Sequence, residues 1–214
     1  GPADQLAIDV GADPNGEIAV VGYNLGTEDA DASVTIGDAT FTAPAGQRRG
    51  LVVRLAAAGA PIRARSFGNS VPVALRCAVG SDRVFVAGSY AGAGVDPSGF
   101  ASLPEPSQTD PPPDPLARDA LVVKYDGDLD ARWQDSQGTT AAELIEAMTV
   151  ADGDVLVAGH HVGDTTMWGQ SLPSSGGRDG FVARVTGGEK QPQLVWLAPF
   201  ADAADLQVRG VASH

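Results

Sequence analysis

An all-β fold is predicted by three observations. A turn followed by a short apolar strand occurs three times, a second strand segment recurs three times behind it, and no stretch keeps a sustained helical period. In the first segment, Asn15-Gly16-Glu17-Ile18-Ala19-Val20-Val21-Gly22, Ser81-Asp82-Arg83-Val84-Phe85-Val86-Ala87-Gly88 and Asp152-Gly153-Asp154-Val155-Leu156-Val157-Ala158-Gly159 align without gaps, and their closing glycines recur after 66 and 71 residues. Asn-Gly and Asp-Gly tolerate the positive φ of a tight hairpin. The second segment is Arg48-Arg49-Gly50-Leu51-Val52-Val53-Arg54-Leu55, matched by 118–125 and 178–185.

The remaining strands follow in order. An alternating strand precedes each hairpin, at Gln5 to Val10, Val73 to Val79 and Glu143 to Val150, and a last short strand follows each second segment, at Ile62 to Phe67, Ala131 to Gln134 and Leu194 to Leu197. Ala141 to Met148 has helical propensity, but it aligns with strands in the other copies and is assigned as a strand. Four antiparallel strands per unit, repeated with local variation, is the pattern of a β-propeller blade. A two-sheet sandwich is the competing architecture, but it gives no reason for the same hairpins to return in the same order.

The organisation follows: blade 1 over 3–68, blade 2 over 69–138 with a Pro-rich insertion at 103–115, blade 3 over 139–200, and in 201–214 the first strand of a further blade or a closing strand. Gly1-Pro2 has the form of a pair left by tag cleavage and is set aside. Three blades and a strand form an incomplete ring, so the expectation is that the missing blades come from the parent polypeptide or a second chain.

Composition narrows the function classes. One Cys in 214 residues excludes a disulfide framework and a Cys-rich zinc module. A net charge of −13 argues against nucleic-acid partners, whose phosphates are neutralised by Lys and Arg. No apolar run approaches the roughly 20 residues of a helical membrane span.

Val84-Phe85-Val86-Ala87-Gly88, the Arg-Asp-Ala/Gly-Leu/Phe-Val-Val/Ala-Lys/Arg segments at 118–124 and 178–184, and Val195-Trp196 resemble the SBBP-type bacterial β-propeller repeat. Val34-Thr35-Ile36-Gly37 with Ala45-Gly46, and Thr166-Met167-Trp168-Gly169 with Gly176-Gly177, resemble its middle element. The likeness spans about residues 5 to 212; Arg49 departs from it where Asp119 and Asp179 keep the usual Asp, and unit 2 has Asp96-Pro97-Ser98-Gly99-Phe100 in place of a clean Phe-Gly. The resemblance implies a secreted or surface-exposed bacterial protein with no assigned activity, and it carries no catalytic residues over.

Chemistry-bearing residues fall in few places. His160-His161 align with Tyr23-Asn24 and Ser89-Tyr90, a strand-end position taking large polar groups, so Tyr23, Asn24, Tyr90, His160 and His161 are the candidate binding residues on the long-loop face. Adjacent residues on a strand point to opposite faces, which disfavours a metal or catalytic His pair. Asp9, Arg76, Glu143, Glu146 and Arg209 lie on first strands and are candidates for lining a central channel. Asp126-Gly127-Asp128-Leu129-Asp130 opens like a calcium loop, but Ala131 stands where the turn glycine is needed and no Glu closes it; a plain turn is expected and no metal is assigned. Cys77 is expected as a buried thiol, and Trp133, Trp168 and Trp196 as packing between blades.

The connections between second and third strands, about 25, 30 and 20 residues long, should leave one face and offer the partner surface. The expected function is therefore a non-catalytic scaffold or binding module for protein or glycan partners, without a cofactor. The alternative is a lyase or hydrolase with a site at the channel mouth, using Asp9, Glu143, Glu146 or the histidines. Deleting Pro104 to Pro115 should leave folding intact, since the other units manage without such a run; a loss of more than about 1–2 kcal/mol in thermal or urea unfolding would show that the segment packs on the blades.

Overall fold

A computed structural model describes residues 4–67, 72–80, 83–90, 118–138, 142–189, 191–201 and 205–212, and among them the chain is all-β. The first unit runs β1 (Asp4–Ala12), β2 (Ile18–Leu25), a small hairpin β3 (Ala32–Ile36) and β4 (Ala39–Ala43), then β5 (Arg48–Leu55) and β6 (Pro61–Phe67). The second comprises β7 (Pro72–Gly80), β8 (Arg83–Tyr90), β9 (Asp119–Asp126) and β10 (Ala131–Gln137). The third comprises β11 (Ala142–Ala151), β12 (Asp154–Val162), a hairpin β13 (Thr165–Met167) and β14 (Gln170–Leu172), β15 (Arg178–Val185) and β16 (Leu194–Phe200). Each unit is one four-stranded antiparallel sheet in chain order, β1-β2-β5-β6, β7-β8-β9-β10 and β11-β12-β15-β16. These sheets close no ring among the described residues. No helix there is long and apolar enough to cross a membrane.

The strands stand where the repeats predict them, including β11 over the stretch of helical propensity. The Pro-rich insertion at 103–115 and the Asp96–Phe100 element lie outside the described residues. The first and third long connections fold back into the β3-β4 and β13-β14 hairpins, where plain connections are expected from the sequence. Val34-Thr35-Ile36-Gly37-Asp38-Ala39-Thr40-Phe41-Thr42 carries the signal, since apolar residues and threonines alternate around a Gly-Asp turn with Gly37 at φ 59°.

The recurring glycine has a steric cause. Each first strand shifts register against the second: between Ala7 and Asp9, between Val73 and Arg76, and between Ile145 and Ala147. Such a bulge drives the first strand's backbone toward the second. A Cβ on Gly22 would stand 2.1 Å from the Leu6 carbonyl oxygen, and one on Gly159 would stand 1.8 Å from that of Leu144. Only glycine admits that approach.

Packing between sheets makes the core. In β8, Val84 and Val86 face the first sheet beside Ala19, Val21, Val52, Leu121 and Val123, while Phe85 and Ala87 face the third beside Val122, Val157, Phe181 and Ala183. The middle sheet is thus buried on both faces, and β9 reads as a continuous buried run from Asp119 to Tyr125.

Each sheet also grips the last turn of the next through main-chain carbonyls. Arg54, held by Glu17, donates to Gly127 O, and Arg63 Nε donates to Asp128 O at 3.2 Å. One unit on, Lys124 Nζ and Trp133 Nε1 both donate to Gly188 O at 2.9 Å, and Lys124 pairs with Glu189 at 2.7 Å. Lys124 is buried to 1% exposure, so these partners are what makes its charge tolerable there. In the gripped turn of the second unit, Leu129 takes φ 58° and inserts fully buried into the first interface.

Residues 205–212 form no strand, against the expectation of one, since among the described residues no second strand pairs with them in a ladder. They lie across the outer face of the third sheet: Leu206 N donates to Arg178 O at 2.8 Å, and Leu206 and Val208 pack over Gly180.

Substituting Gly159→Ala should destabilise the chain by about 1–3 kcal/mol in urea unfolding, as overpacking against fixed backbone does. An unchanged midpoint would mean that the β11 bulge relaxes freely.

Candidate functional site

The second strands end in polar residues, and the register places these at equivalent points: Asn24, Tyr90 and His161. The sequence reading put them, with His160, on an open rim. All four are instead buried, at 0% exposure for Asn24 and Tyr90, 5% for His160 and 1% for His161. In the first and third units the connection that follows the second strand folds back over the sheet end and takes Asn24 and His161 as hydrogen-bond posts. Asn24 Nδ2 donates to Ala32 O at 2.7 Å and Phe41 O at 3.3 Å, pinning β3 and β4. His161 Nδ1 lies 2.8 Å from Gly163 O at the start of the third connection. The Tyr90 hydroxyl lies 2.6 Å from Ser136 Oγ and donates to Asp119 Oδ2 at 3.5 Å.

On the third sheet the register lines up Glu143, His161 and Asp179 across β11, β12 and β15, on the face turned to the second sheet. Glu143 is fully buried, not solvated in a channel as expected; it accepts from Thr165 Oγ1, and its main-chain carbonyl accepts from Ser89 Oγ at 3.0 Å. Asp179 accepts from Ser174 Oγ at 2.8 Å, from Ser175 N at 2.9 Å and from Ser175 Oγ. The Ser175 bond leads in holding the Asp179 carboxyl down at about 2, with Ser174 and the His161 ring adding to it against the opposing effect of burial. The Tyr90 phenol moves the other way, to about 12, chiefly through burial. Asp119 Oδ1 and Glu143 Oε2 both crowd Gly138, each 2.5 Å from where its Cβ would stand, so the ends of the second and third sheets converge there.

A second group joins the first strands. Arg76 Nε donates to Glu146 O and Arg76 Nη2 lies 3.4 Å from Glu146 Oε2, while His160 Nδ1 is 3.8 Å from Glu146 Oε1. Burial lowers the His160 pKa, opposed by Glu146 and reinforced by Arg178, His161 and Arg209. Asp9 stands apart and ties the first two sheets, accepting from Cys77 N at 3.0 Å. Arg209 lines no first strand: it is exposed in 205–212 and donates to Gln207 Oε1 at 2.6 Å. Tyr23 is half-buried on the face of the first sheet that carries Val21 and Val52, with the Arg48 guanidinium 4.1 Å above its ring.

The structure therefore brings Glu143 to His161, and Arg76 and Glu146 to His160, and keeps Asp9, Tyr23 and Asn24 in the first unit. Asp119, Thr165, Ser174, Ser175 and Asp179 complete the rows and were not picked out as site residues. Asp119 and Asp179 carried a usable signal, since an aspartate recurs at that slot of the repeat.

The Asp126–Asp130 turn is occupied by the chain itself. Asp126 Oδ1 accepts from Asp128 N at 2.9 Å and Asp130 N at 2.8 Å, Asp126 Oδ2 pairs with Arg132, and Asp130 pairs with Arg65. Burial pushes the Asp126 carboxyl up, but these bonds outweigh it and its pKa falls. Among the described residues no group of three or more His, Cys, Asp or Glu could hold a metal ion. Cys77 is buried with its thiol pushed up to about 12, mainly by desolvation, which removes the thiolate needed for nucleophilic work. Trp133 and Trp168 pack between units, the latter donating from Nε1 to Asp135 Oδ2 at 2.7 Å; Trp196 is instead 40% exposed. A surface depression of about 440 Å3 lies on the first unit between the β3-β4 tip and β6, lined by Ile36, Asp38, Ile62 and Arg65, away from both polar groups.

The chain matches no family model, and no curated protein sequence matches it significantly.

Asp179 and Tyr90 set opposite pH limits. Asp179 has a folded pKa below its ordinary 3.8, so its contribution is complete above about pH 4 and is lost as pH falls toward 2. Tyr90 has a folded pKa above 10, so its contribution is complete below pH 10 and is lost as pH rises toward 12. In urea unfolding, Asp179→Asn should lower the midpoint at pH 7 and converge with the parent chain near pH 2, while Tyr90→Phe should converge with it near pH 12. Midpoint differences independent of pH would contradict the assignment.

Proposed function

We propose that the chain is a run of β-propeller blades of the SBBP type, serving as a non-catalytic scaffold or binding module for protein or glycan partners in a secreted or surface-exposed bacterial protein. The observation that carries this reading is the engagement of the polar groups at the sheet ends. Asn24, His161 and Asp179 hold the chain's own hairpins and turns and Tyr90 holds Ser136 and Asp119 of its own sheet, all four buried, where a reacting group needs access to substrate. Support for the propeller comes from the three sheets with one topology, one bulge position and one mode of packing.

The partner surface is assigned to the connections between second and third strands, which leave the same end of every sheet. On β3-β4 that surface is an exposed hydroxyl ladder, with Ser33 Oγ 2.8 Å from Thr42 Oγ1 and Thr35 Oγ1 3.0 Å from Thr40 Oγ1. Paired hydroxyls on a rigid hairpin suit the hydroxyl groups of a glycan. The hydrolase or lyase reading keeps one observation in its favour, the Glu143–His161 juxtaposition across β11 and β12.

A glycan panel tests both. The expected result is saturable binding without turnover, weakened by the double substitution Thr35→Val and Thr40→Val at unchanged melting temperature. Turnover of any member of the panel that Glu143→Gln abolishes would establish the enzyme instead.

A further inference from the structure

The gripping arrangement that joins the first sheet to the second, and the second to the third, is present a third time with no further unit's turn in its grasp among the described residues; its arginine meets only Asp154 and Asp152 of its own unit. Its two donors are cross-strand partners on the third and fourth strands of a unit: Arg54 opposite Arg63, Lys124 opposite Trp133, and Arg184 opposite Trp196. The first two pairs donate to main-chain carbonyls in the last turn of the next unit, at Gly127 and Asp128 and at Gly188. Burial follows the grip for the third-strand cations and for the tryptophans, whereas Arg63 grips from an exposed position. The Arg54 and Lys124 side chains are 13% and 2% exposed, against 27% for Arg184, and Trp133 is 5% exposed against 40% for Trp196. Arg184 is nonetheless oriented as Arg54 is: Asp154 Oδ2 holds its Nε at 2.8 Å, as Glu17 holds that of Arg54 at 3.0 Å.

A second, independent equivalence lies at the other edge of the same face. Glu143 N, on the first strand of the third unit, donates to Arg118 O at 2.7 Å, and Leu206 N donates to the matching Arg178 O at 2.8 Å. Residues 205–212 therefore sit on the third sheet as β11 sits on the second, with Val208 at the level of Ile145. Ile145 pairs with Gly159 and Ala7 with Gly22 at the bulge.

We propose that the outer face of the third sheet is a docking surface for one kind of partner, a further antiparallel β-meander of the same repeat, joined in register to residues 205–212. Arg184 and Trp196 are its latch, and the ligand they take is a main-chain carbonyl in that unit's last turn. The partner's second strand places a glycine opposite Val208, and its apolar face covers the exposed strip of Trp196 and Phe200. This assignment rests on the repeat reading given above and adds the surface, the register and the contacts.

The test extends the full chain with residues 150–200 repeated directly after Ala212, which the Glu143–Leu206 equivalence puts in register. Trp196 fluorescence, isolated by difference from a Trp196→Phe chain, is read with acrylamide, and the amides of 205–212 by hydrogen exchange. In the extended chain Trp196 should lose access to the quencher, the 205–212 amides should gain protection, and Arg184→Ala should lower the melting temperature more than in the parent. If the appended unit protects 205–212 but Arg184→Ala and Trp196→Phe cost the extended and parent chains equally, the latch is wrong while the repeat reading stands. If 205–212 stay unprotected and Trp196 stays quenched, both fall. Concentration-dependent association of the parent chain that shields Trp196 would make a second copy the occupant and overturn the choice of partner.

Discussion

The middle sheet is apolar on both faces, and most of the rest of the molecule follows from having to cover it twice. Alternate residues of β8 and β9 point into two separate cores, one shared with the first sheet and one with the third. A strand pair buried on both sides loses the polar face that an ordinary half-exposed antiparallel sheet presents to water. The outer sheets are each covered once, and they keep apolar residues such as Leu6, Val10, Trp196 and Phe200 in contact with solvent.

Side-by-side packing of twisted sheets leaves their ends ragged, and the polar groups close those ends. Asn24, Tyr90 and His161 occupy one slot of the repeat with three different chemistries, and each binds what lies beside it: two carbonyls of the following hairpin, a serine and an aspartate of the third and fourth strands, or a turn carbonyl. Asp179 keeps its charge because two serines close on it, which fixes a turn.

Much of the fold was legible because it rests on periodicity. Strand positions, the tight turns and the threefold order of segments all follow from the alternation and from recurring glycines. The meaning of those glycines was not legible, since Gly22 and Gly159 are required by the carbonyls of Leu6 and Leu144, residues of a different strand, across a bulge that no local pattern marks. The candidate site was legible as a set of positions and misjudged in environment. His160 and His161 sit at the end of a strand in sequence, which suggests a rim, but β13-β14 and residues 205–212 fold over them. Burial by a distant segment is tertiary information. Trp133 and Trp196 make the same point: they share a repeat slot, yet the first is enclosed by the next unit and the second is bare.

The contacts between sheets are made to backbone oxygens, which every residue possesses. The three last turns, Ala56-Ala57-Ala58-Gly59-Ala60, Asp126-Gly127-Asp128-Leu129-Asp130 and Thr186 to Gln193, have almost nothing in common in composition. All three are closed by equivalent hydrogen bonds, from Ala56 N to Ala60 O, Asp126 N to Asp130 O and Thr186 N to Gln193 O. A grip on carbonyl position constrains the side chains of the gripped turn less than a grip on side chains would, even though Leu129, Asp130 and Glu189 add contacts of their own. Units held together in this way tolerate turns as unlike as Ala56 to Ala60 and Asp126 to Asp130 at the same place in the sheet.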